Sequence, residues 1–448
     1  MPKLAINGGN KIVNIPFPDQ YTTGLSEREA VWEHMHSGKS LSNYRGNWIK
    51  EFWGGDKVRK FEQEFAEKFN VKYAVAVNSC TSALQLACIA AGLEKGDEVI
   101  VTPWSMSCSA TAPLICGAIP VFADIGRDDF CLDYNSVKSK ITEKTKAIIV
   151  VDLFGQPYKY ELDNLARKHN LIIIEDAAQA IGSKRGALYA GGIGDIGCFS
   201  FTQGKHLTCG EGGMLVTDDY ETAFKAALLR NHSEAVVSAN DKNRLFVDKY
   251  SKFFGFNLRM TELQAVIMSE QLKRLEGYIY DRVENSRSIS EKLCAFPFIS
   301  KPVINKECTN SYYVDPYYFD QSKLLSNGSA TRDMFIAAVK AELMGEKSRP
   351  DRPMLGCGYI KPLYRMPIFA KNYGDDDNLK FSDSDYERTF PNVEKLWKKD
   401  FFLSLYHSLP LEFNDINNIV NAFEKVYSNL GELVDTKQPN GWHLSQLS

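Results

Sequence analysis

The stretch Leu171-Ile172-Ile173-Ile174-Glu175-Asp176-Ala177-Ala178-Gln179, with Cys198-Phe199-Ser200-Phe201-Thr202-Gln203-Gly204-Lys205 after it, decides how the rest of the chain is read. Four consecutive aliphatic residues suit a short strand buried on both faces, and this run ends on two carboxylates. The second apolar run, over 198–201, leads to a lysine set among Gly204, His206 and Gly210. An acid at one strand end and an amine just beyond another suit an electron-sink cofactor. Such a cofactor needs a carboxylate against its ring nitrogen and an amine for its aldehyde. The stretch therefore predicts a pyridoxal-phosphate site.

Outward from it the pattern alternates. Strands are predicted over 73–77, 98–102, 120–123, 147–153 and 171–175, with helices over 81–91, 107–117 and 159–169. Near-continuous apolar strands separated by helices indicate an α/β fold with a mostly parallel sheet covered on both faces. Ligands in such sheets lie beyond the carboxyl ends of the strands, where Asn78, Asp152 and Asp176 fall. Upstream, residues 5–14 suggest an extended arm, and Ser26 with Glu29 suggests the capped start of a helix to about Ser37. Val58, Phe61, Phe65 and Phe69 repeat at helical steps. Downstream, a helix over 281–296, a Tyr-rich strand over 311–319, a surface loop over 345–353 and a terminal helix over 411–430 suggest a smaller α+β unit. The expected organisation is an arm and helix (1–56), a large cofactor-binding domain (57–276), a small C-terminal domain (277–435) and a disordered tail (436–448).

Composition excludes several classes. A net charge of -3 argues against a nucleic-acid partner, which selects for a basic excess. No segment is apolar for the roughly 18–20 residues a membrane span needs, and no signal-peptide pattern follows Met1. The 10 cysteines contain no Cys-x-x-Cys pair, and His34 and His36 are two apart, on different helix faces, so neither a zinc site nor a disulfide framework is expected. These features together predict a cytoplasmic protein with reduced thiols.

Each chemical residue has a plainer reading beside it. Asp176 can hold a ring nitrogen protonated, or it can cap a helix starting near Ala177. Lys205 is one of 53 basic residues, distinguished by the small residues and hydroxyls around it: Gly204, Thr208, Gly210, Gly212 and Gly213. The join Asn78-Ser79-Cys80-Thr81-Ser82 offers a helix N-terminus to a phosphate, and its hydroxyls are equally ordinary caps. Gly192-Ile193-Gly194-Asp195-Ile196-Gly197 spells the dinucleotide pattern, but no convincing strand precedes it and a strand follows it, so it fails as a Rossmann fingerprint.

Taken in order, Asp176-x-x-Gln179, Gly194-Asp195-x-Gly197-x-Phe199-Ser200-Phe201-x-x-x-Lys205 and Gly210-Glu211-Gly212-Gly213 resemble the DegT/DnrJ/EryC1/StrS sugar aminotransferases. Gly255-Phe256-Asn257-x-Arg259-Met260-Thr261-x-x-Gln264-Ala265 belongs to the same signature, and the similarity runs from about Ala5 to Leu430. The resemblance implies the fold-type I aminotransferase architecture and a homodimer with active sites at the subunit interface. It implies Lys205 as the imine lysine and proton shuttle, Asp176 on the pyridine nitrogen and Gln179 near the phenolic oxygen. Cys80, Thr81 and Ser200 would contact the phosphate, and Asn257 would reach the phosphate of the neighbouring subunit. Met106 stands where relatives place a ring-stacking aromatic; its sulfur can cover a ring face, and Trp104 is a nearby substitute. Cys80 replaces a usual glycine.

Some members of that family carry histidine at the lysine position and act as dehydratases; here the histidine is the neighbour, His206. The motifs Leu4-Ala5-Ile6-Asn7-Gly8-Gly9 and Lys361-Pro362-Leu363-Tyr364-Arg365-x-Pro367 resemble the branch acting on cyclitol ketones, aminobenzoate-type precursors and keto-octulosonates. The expected activity is transfer of an amino group from glutamate or glutamine to a keto or aldehyde carbon of a sugar or sugar-like acceptor, a nucleotide-linked keto-sugar, a cyclitol or an octulosonate. The rivals are a dehydratase or lyase using the same cofactor, and a non-catalytic cofactor-binding regulator.

Overall fold

The computed structural model describes residues 3–20, 22–45, 50–233, 254–324, 330–370 and 382–433. The expected disordered tail lies outside these residues. Seven strands form the main sheet: β1 (Tyr73–Val77), β2 (Glu98–Val101), β3 (Ile119–Phe122), β4 (Thr145–Val151), β5 (Ile172–Asp176), β8 (Ile196–Ser200) and β9 (Gly213–Thr217). A small hairpin, β6 (Lys184–Arg185) and β7 (Leu188–Tyr189), interrupts the series. The order is β1-β9-β8-β5-β4-β2-β3. The pairs β2–β3, β2–β4, β4–β5 and β5–β8 are parallel, and β9 runs antiparallel to both β8 and β1.

The reversed strand follows from the absence of a crossover helix. Parallel neighbours need a crossover of a dozen or more residues, usually helical. Between β8 and β9 lies an irregular loop without a helix, so the chain returns as an antiparallel neighbour. That loop carries Lys205. Along β8 and β9 the side chains alternate between two cores. Cys198 and Leu215 face the layer of helix Cys80–Ala90, while Phe199, Met214 and Val216 face Phe61, Phe65 and Phe69 of helix Asp56–Phe69. Period two in the strands against 3.6 in the helices generates this two-sided burial.

At the free edge of β1, the buried pair Arg230–Glu62 substitutes for a neighbouring strand. Glu62 Oε1 accepts the Ala76 N–H at 2.8 Å, and Arg230 Nη1 donates to the Ala76 carbonyl at 2.7 Å. Both backbone groups of Ala76 are thereby satisfied, which closes part of an edge open to another chain.

The C-terminal sheet is antiparallel, in the order β10-β11-β13-β12, with β10 (Ile299–Ser300), β11 (Asp315–Phe319), β12 (Leu355–Cys357) and β13 (Phe401–Ser404). Tyr317, Phe319 and Phe402 pack there against Phe335 and Phe423 from helices Arg332–Glu342 and Phe413–Ser428. The architecture is thus a mostly parallel α/β layer plus a smaller α+β layer, the expected fold class. The N-terminal arm joins the smaller core through Leu4, Val13 and Phe17, and the Ala5 N–H donates to Glu342 Oε1 at 2.7 Å.

Several local expectations are corrected. Residues 5–7 form a 3-10 turn rather than extended chain. The first helix is Leu25–His36, capped at Gly24 and not at Ser26, because the Glu27 carboxylate takes the Gly24 N–H at 2.6 Å. The helix over 107–117 divides into Cys108–Thr111 and a 3-10 turn Ala112–Cys116, where Pro113 removes a backbone donor. No helix follows Asp176: Ala177, Ala178 and Gln179 make a turn. The helix placed over 281–296 spans Leu275–Leu293. The loop at 345–353 is irregular, but Gly345 and Glu346 are buried, and Gly345 accepts the Phe17 N–H at 3.0 Å.

Candidate active site

Asp176 ends β5 fully enclosed. Its Oδ2 accepts the Ser109 hydroxyl at 2.7 Å, and its Oδ1 accepts the Ala178 N–H at 3.2 Å with the Cys80 thiol at 3.8 Å. Burial pushes the carboxyl up; the Ser109 hydroxyl, the Ala178 N–H, the Lys205 charge and the Cys80 thiol pull it back. Asp176, Cys80 and Lys205 therefore share one buried electrostatic environment.

Lys205 is held from the far side by an aromatic face, with its Nζ 3.8 Å from the ring centroid of Tyr313. Three consecutive carbonyls fix the loop bearing that ring. His206 Nε2 lies 2.9 Å from Ser311 O, His407 Nε2 lies 2.7 Å from Tyr312 O, and Arg282 Nη1 donates to Tyr312 O at 3.0 Å and Tyr313 O at 3.3 Å. A carbonyl only accepts, so each imidazole carries its proton on Nε2. Burial drives both imidazoles toward the neutral form: His206 falls well below the usual range and His407 to about 4. Tyr312 has φ +50, an uncommon conformation for a bulky residue, maintained by these bonds.

The phosphate candidates sit at the start of helix Cys80–Ala90. Ser79 is the N-cap, its Oγ accepting the Ser82 N–H at 3.1 Å, and Thr81 is exposed. Gly213 lies directly beneath this helix start: a Cβ there would come 2.4 Å from Ser79 C and 2.6 Å from Cys80 N. The glycine of the Gly-Glu-Gly-Gly run thus permits strand and helix start to touch. Ser200 ends β8, buried, with the Thr202 N–H 3.5 Å from its hydroxyl. Asn257 is exposed and bridges to Asn231; its neighbour Leu258 accepts the Asn78 N–H at 3.0 Å.

Gln179 turns away from Asp176. Its Oε1 accepts the Phe154 N–H at 2.9 Å, and its Nε2 donates to the Tyr359 hydroxyl at 2.8 Å. Met106 is 55% exposed, whereas Trp104 is fully buried. The Trp104 indole N–H donates to Ile360 O at 3.0 Å, and its ring packs among Phe130, Phe154, Tyr359 and Phe401. Trp104 is committed to the core, which removes it as a substitute for Met106. Among the described residues, no hydrogen bond joins Met106, Ser200 or Asn257 to Asp176 or Lys205.

The Gly192–Gly197 run does cradle an anion, but an internal one. The Glu175 carboxylate accepts the N–H groups of Gly191 at 2.7 Å, Ile193 at 3.0 Å and Gly194 at 2.8 Å. Reading the sequence missed Ser109, Tyr313 and Tyr359. Only the serine-rich run Ser105-Met106-Ser107-Cys108-Ser109 hinted at the first; the two tyrosines come from the distant C-terminal part and carry no local signal. Among the described residues, no group of three His, Cys, Asp or Glu side chains could hold a metal.

A buried carboxylate at a strand end, an enclosed amine in its field and a helix N-terminus beside both match the donor set that pyridoxal phosphate requires. When bound, that group supplies a conjugated cation that draws electrons from a breaking bond. With the single reversed strand, this defines a fold-type I pyridoxal-phosphate enzyme. The chain belongs to the DegT/DnrJ/EryC1/StrS aminotransferase family, whose model matches residues 41–423. It is similar to the GDP-perosamine synthase of Escherichia coli O157:H7, at 38% identity over 80% of this chain and 88% of that protein. It is 32% identical to the L-glutamine:2-deoxy-scyllo-inosose aminotransferase of Streptomyces lividus, over 76% of this chain and 79% of that one. Among solved structures, an aminotransferase from Psychrobacter cryohalolentis superposes with a TM-score of 0.76 at 29% identity, over 93% of this chain and 100% of that chain. The protein is a pyridoxal-phosphate-dependent aminotransferase.

Proposed function

We propose that the enzyme moves an amino group from glutamate or glutamine to a keto or aldehyde carbon of a sugar or cyclitol. The observation that carries this reading is the enclosed Lys205 amine, present where a dehydratase would hold histidine and lying in the field of Asp176. Lys205 would hold the cofactor through its amine, and that Nζ would be the group that moves the proton of the donor's α-carbon. Asp176 would hold the ring nitrogen, whose positive charge would favour its ionised form against the burial that raises it. Gln179 would hold the phenolic oxygen, Cys80, Thr81 and Ser200 the phosphate, and Met106 would cover the ring. In a homodimer, Asn257 reaches the phosphate held by the other protomer. Glutamine as donor and a cyclic polyol ketone as acceptor are supported by the Streptomyces lividus relative, and a nucleotide-linked sugar by the perosamine synthase. A cytoplasmic location agrees with the absence, among the described residues, of any helix long and apolar enough to cross a membrane. The division into units 57–276 and 277–435 places its boundary in the first turn of helix Leu275–Leu293.

The test is a half-reaction. The holoenzyme given glutamate or glutamine and no acceptor should release one equivalent of 2-oxo acid, and Lys205→Ala should release none. Consumption of a keto-sugar without any donor would replace this reading with the dehydratase one.

A further inference from the structure

We propose that Tyr359 contacts the cofactor: its hydroxyl and the Gln179 amide form a two-donor site for the phenolic oxygen of pyridoxal phosphate. The inference rests on Gln179 lying at that oxygen, and it adds a second donor contributed by the C-terminal part of the chain.

Hydrogen-bond logic fixes the arrangement. The Phe154 N–H can only donate, so the Gln179 atom 2.9 Å from it is the carbonyl Oε1. The amide nitrogen then faces Tyr359. An amide nitrogen cannot accept, so across 2.8 Å the Tyr359 oxygen is the acceptor. The phenol keeps its own proton to donate, and Gln179 Nε2 keeps a second N–H. Among the described residues, no hydrogen bond uses either proton. Two donors this close, both buried, are complementary to an oxygen that carries negative charge. Burial pushes the Tyr359 hydroxyl well above the ordinary phenol range, which keeps it a donor, and it also feels the charge of Asp176.

The backbone is shaped to deliver this hydroxyl. Tyr359 sits at φ +55 directly after Gly358 at φ +69, two successive left-handed residues. The ring is wedged edge-on between Trp104, with centroids 5.8 Å apart, and Phe154, 4.9 Å apart. Trp104 also donates to the carbonyl of the next residue, Ile360. Phe154, at φ +62, thus orients Gln179 through its N–H and Tyr359 through its ring.

The test compares pyridoxal phosphate with its 3-deoxy analogue, which lacks only the phenolic oxygen, on full-length apoprotein by fluorescence titration. Tyr359→Phe should bind pyridoxal phosphate about tenfold more weakly, as for one hydrogen bond to a charged oxygen. It should bind the analogue as tightly as the unaltered protein does. Equal weakening of both ligands, or of neither, would overturn the proposal, because a packing role does not distinguish them. Covalent attachment at Lys205 is scored separately by borohydride trapping. Its loss in the unaltered protein would sink the cofactor reading; its presence together with an unmoved Tyr359→Phe would sink only this inference.

Discussion

At the residue scale, the two carboxyls that end β5 have opposite duties. Asp176 faces the site, while Glu175, one residue earlier on β5, points into the glycine turn and takes three N–H groups. Asp152, at the end of β4, is buried against Glu175 and accepts the Tyr158 N–H at 2.9 Å. Its other oxygen meets no donor and contacts the Glu175 carboxyl. Burial first, then the Glu175 charge, raise Asp152 well above the usual carboxylate range, so the pair shares a proton carried by Asp152. The native state therefore keeps a proton that the unfolded chain releases above about pH 4. Stability from this site is lost as pH rises past that point. Asp152→Asn places a permanent donor against Glu175 and should remove the loss. Denaturant unfolding should find the variant more stable by on the order of 1 kcal/mol at pH 7, and the gain should vanish near pH 4. A variant less stable at pH 7 would show that Asp152 is ionised. The strand-end rule placed Asp152 with the ligand groups because sequence shows where a strand ends but not which way the last side chain turns.

At the element scale, the β8–β9 return organises the site. It sets Lys205 in an irregular loop, reverses one strand and brings Gly213 beneath the start of helix Cys80–Ala90. Gly213→Ala would force its methyl into Ser79 and Cys80 and push the helix start away. The variant should melt lower and bind pyridoxal phosphate at least about tenfold more weakly, an effect of the size lost with a charge-assisted hydrogen bond; unchanged affinity would show that the phosphate lies elsewhere. The five strands read from near-continuous apolar runs, 73–77 through 171–175, were legible to within two residues because buried parallel strands are apolar throughout. The strand Gly213–Thr217 was not: its reversal depends on a return that carries no crossover helix, and its own four apolar-to-Thr residues give no direction. The helix at 107–117 failed where Pro113 competes with otherwise helical neighbours.

At the scale of the whole molecule, the site is completed from far along the chain. Asp176, Lys205 and the helix start come from the main sheet, but Tyr313 covers the amine and Tyr359 meets Gln179 from the C-terminal part. The ordered motifs made the first group legible. The second was hidden because a tyrosine more than a hundred residues away has no local pattern that marks it as a lid. The arm at residues 3–20 behaves the same way: its apolar residues are evident, yet its docking on Glu342 and Glu346 is a tertiary fact. The central claim is decided by finding which lysine holds the cofactor. The holoenzyme should be reduced with borohydride, digested and mapped by mass spectrometry. A pyridoxyl adduct on the peptide containing Lys205, absent in Lys205→Ala, is the predicted result. An adduct on a different lysine in the unaltered protein would contradict the account.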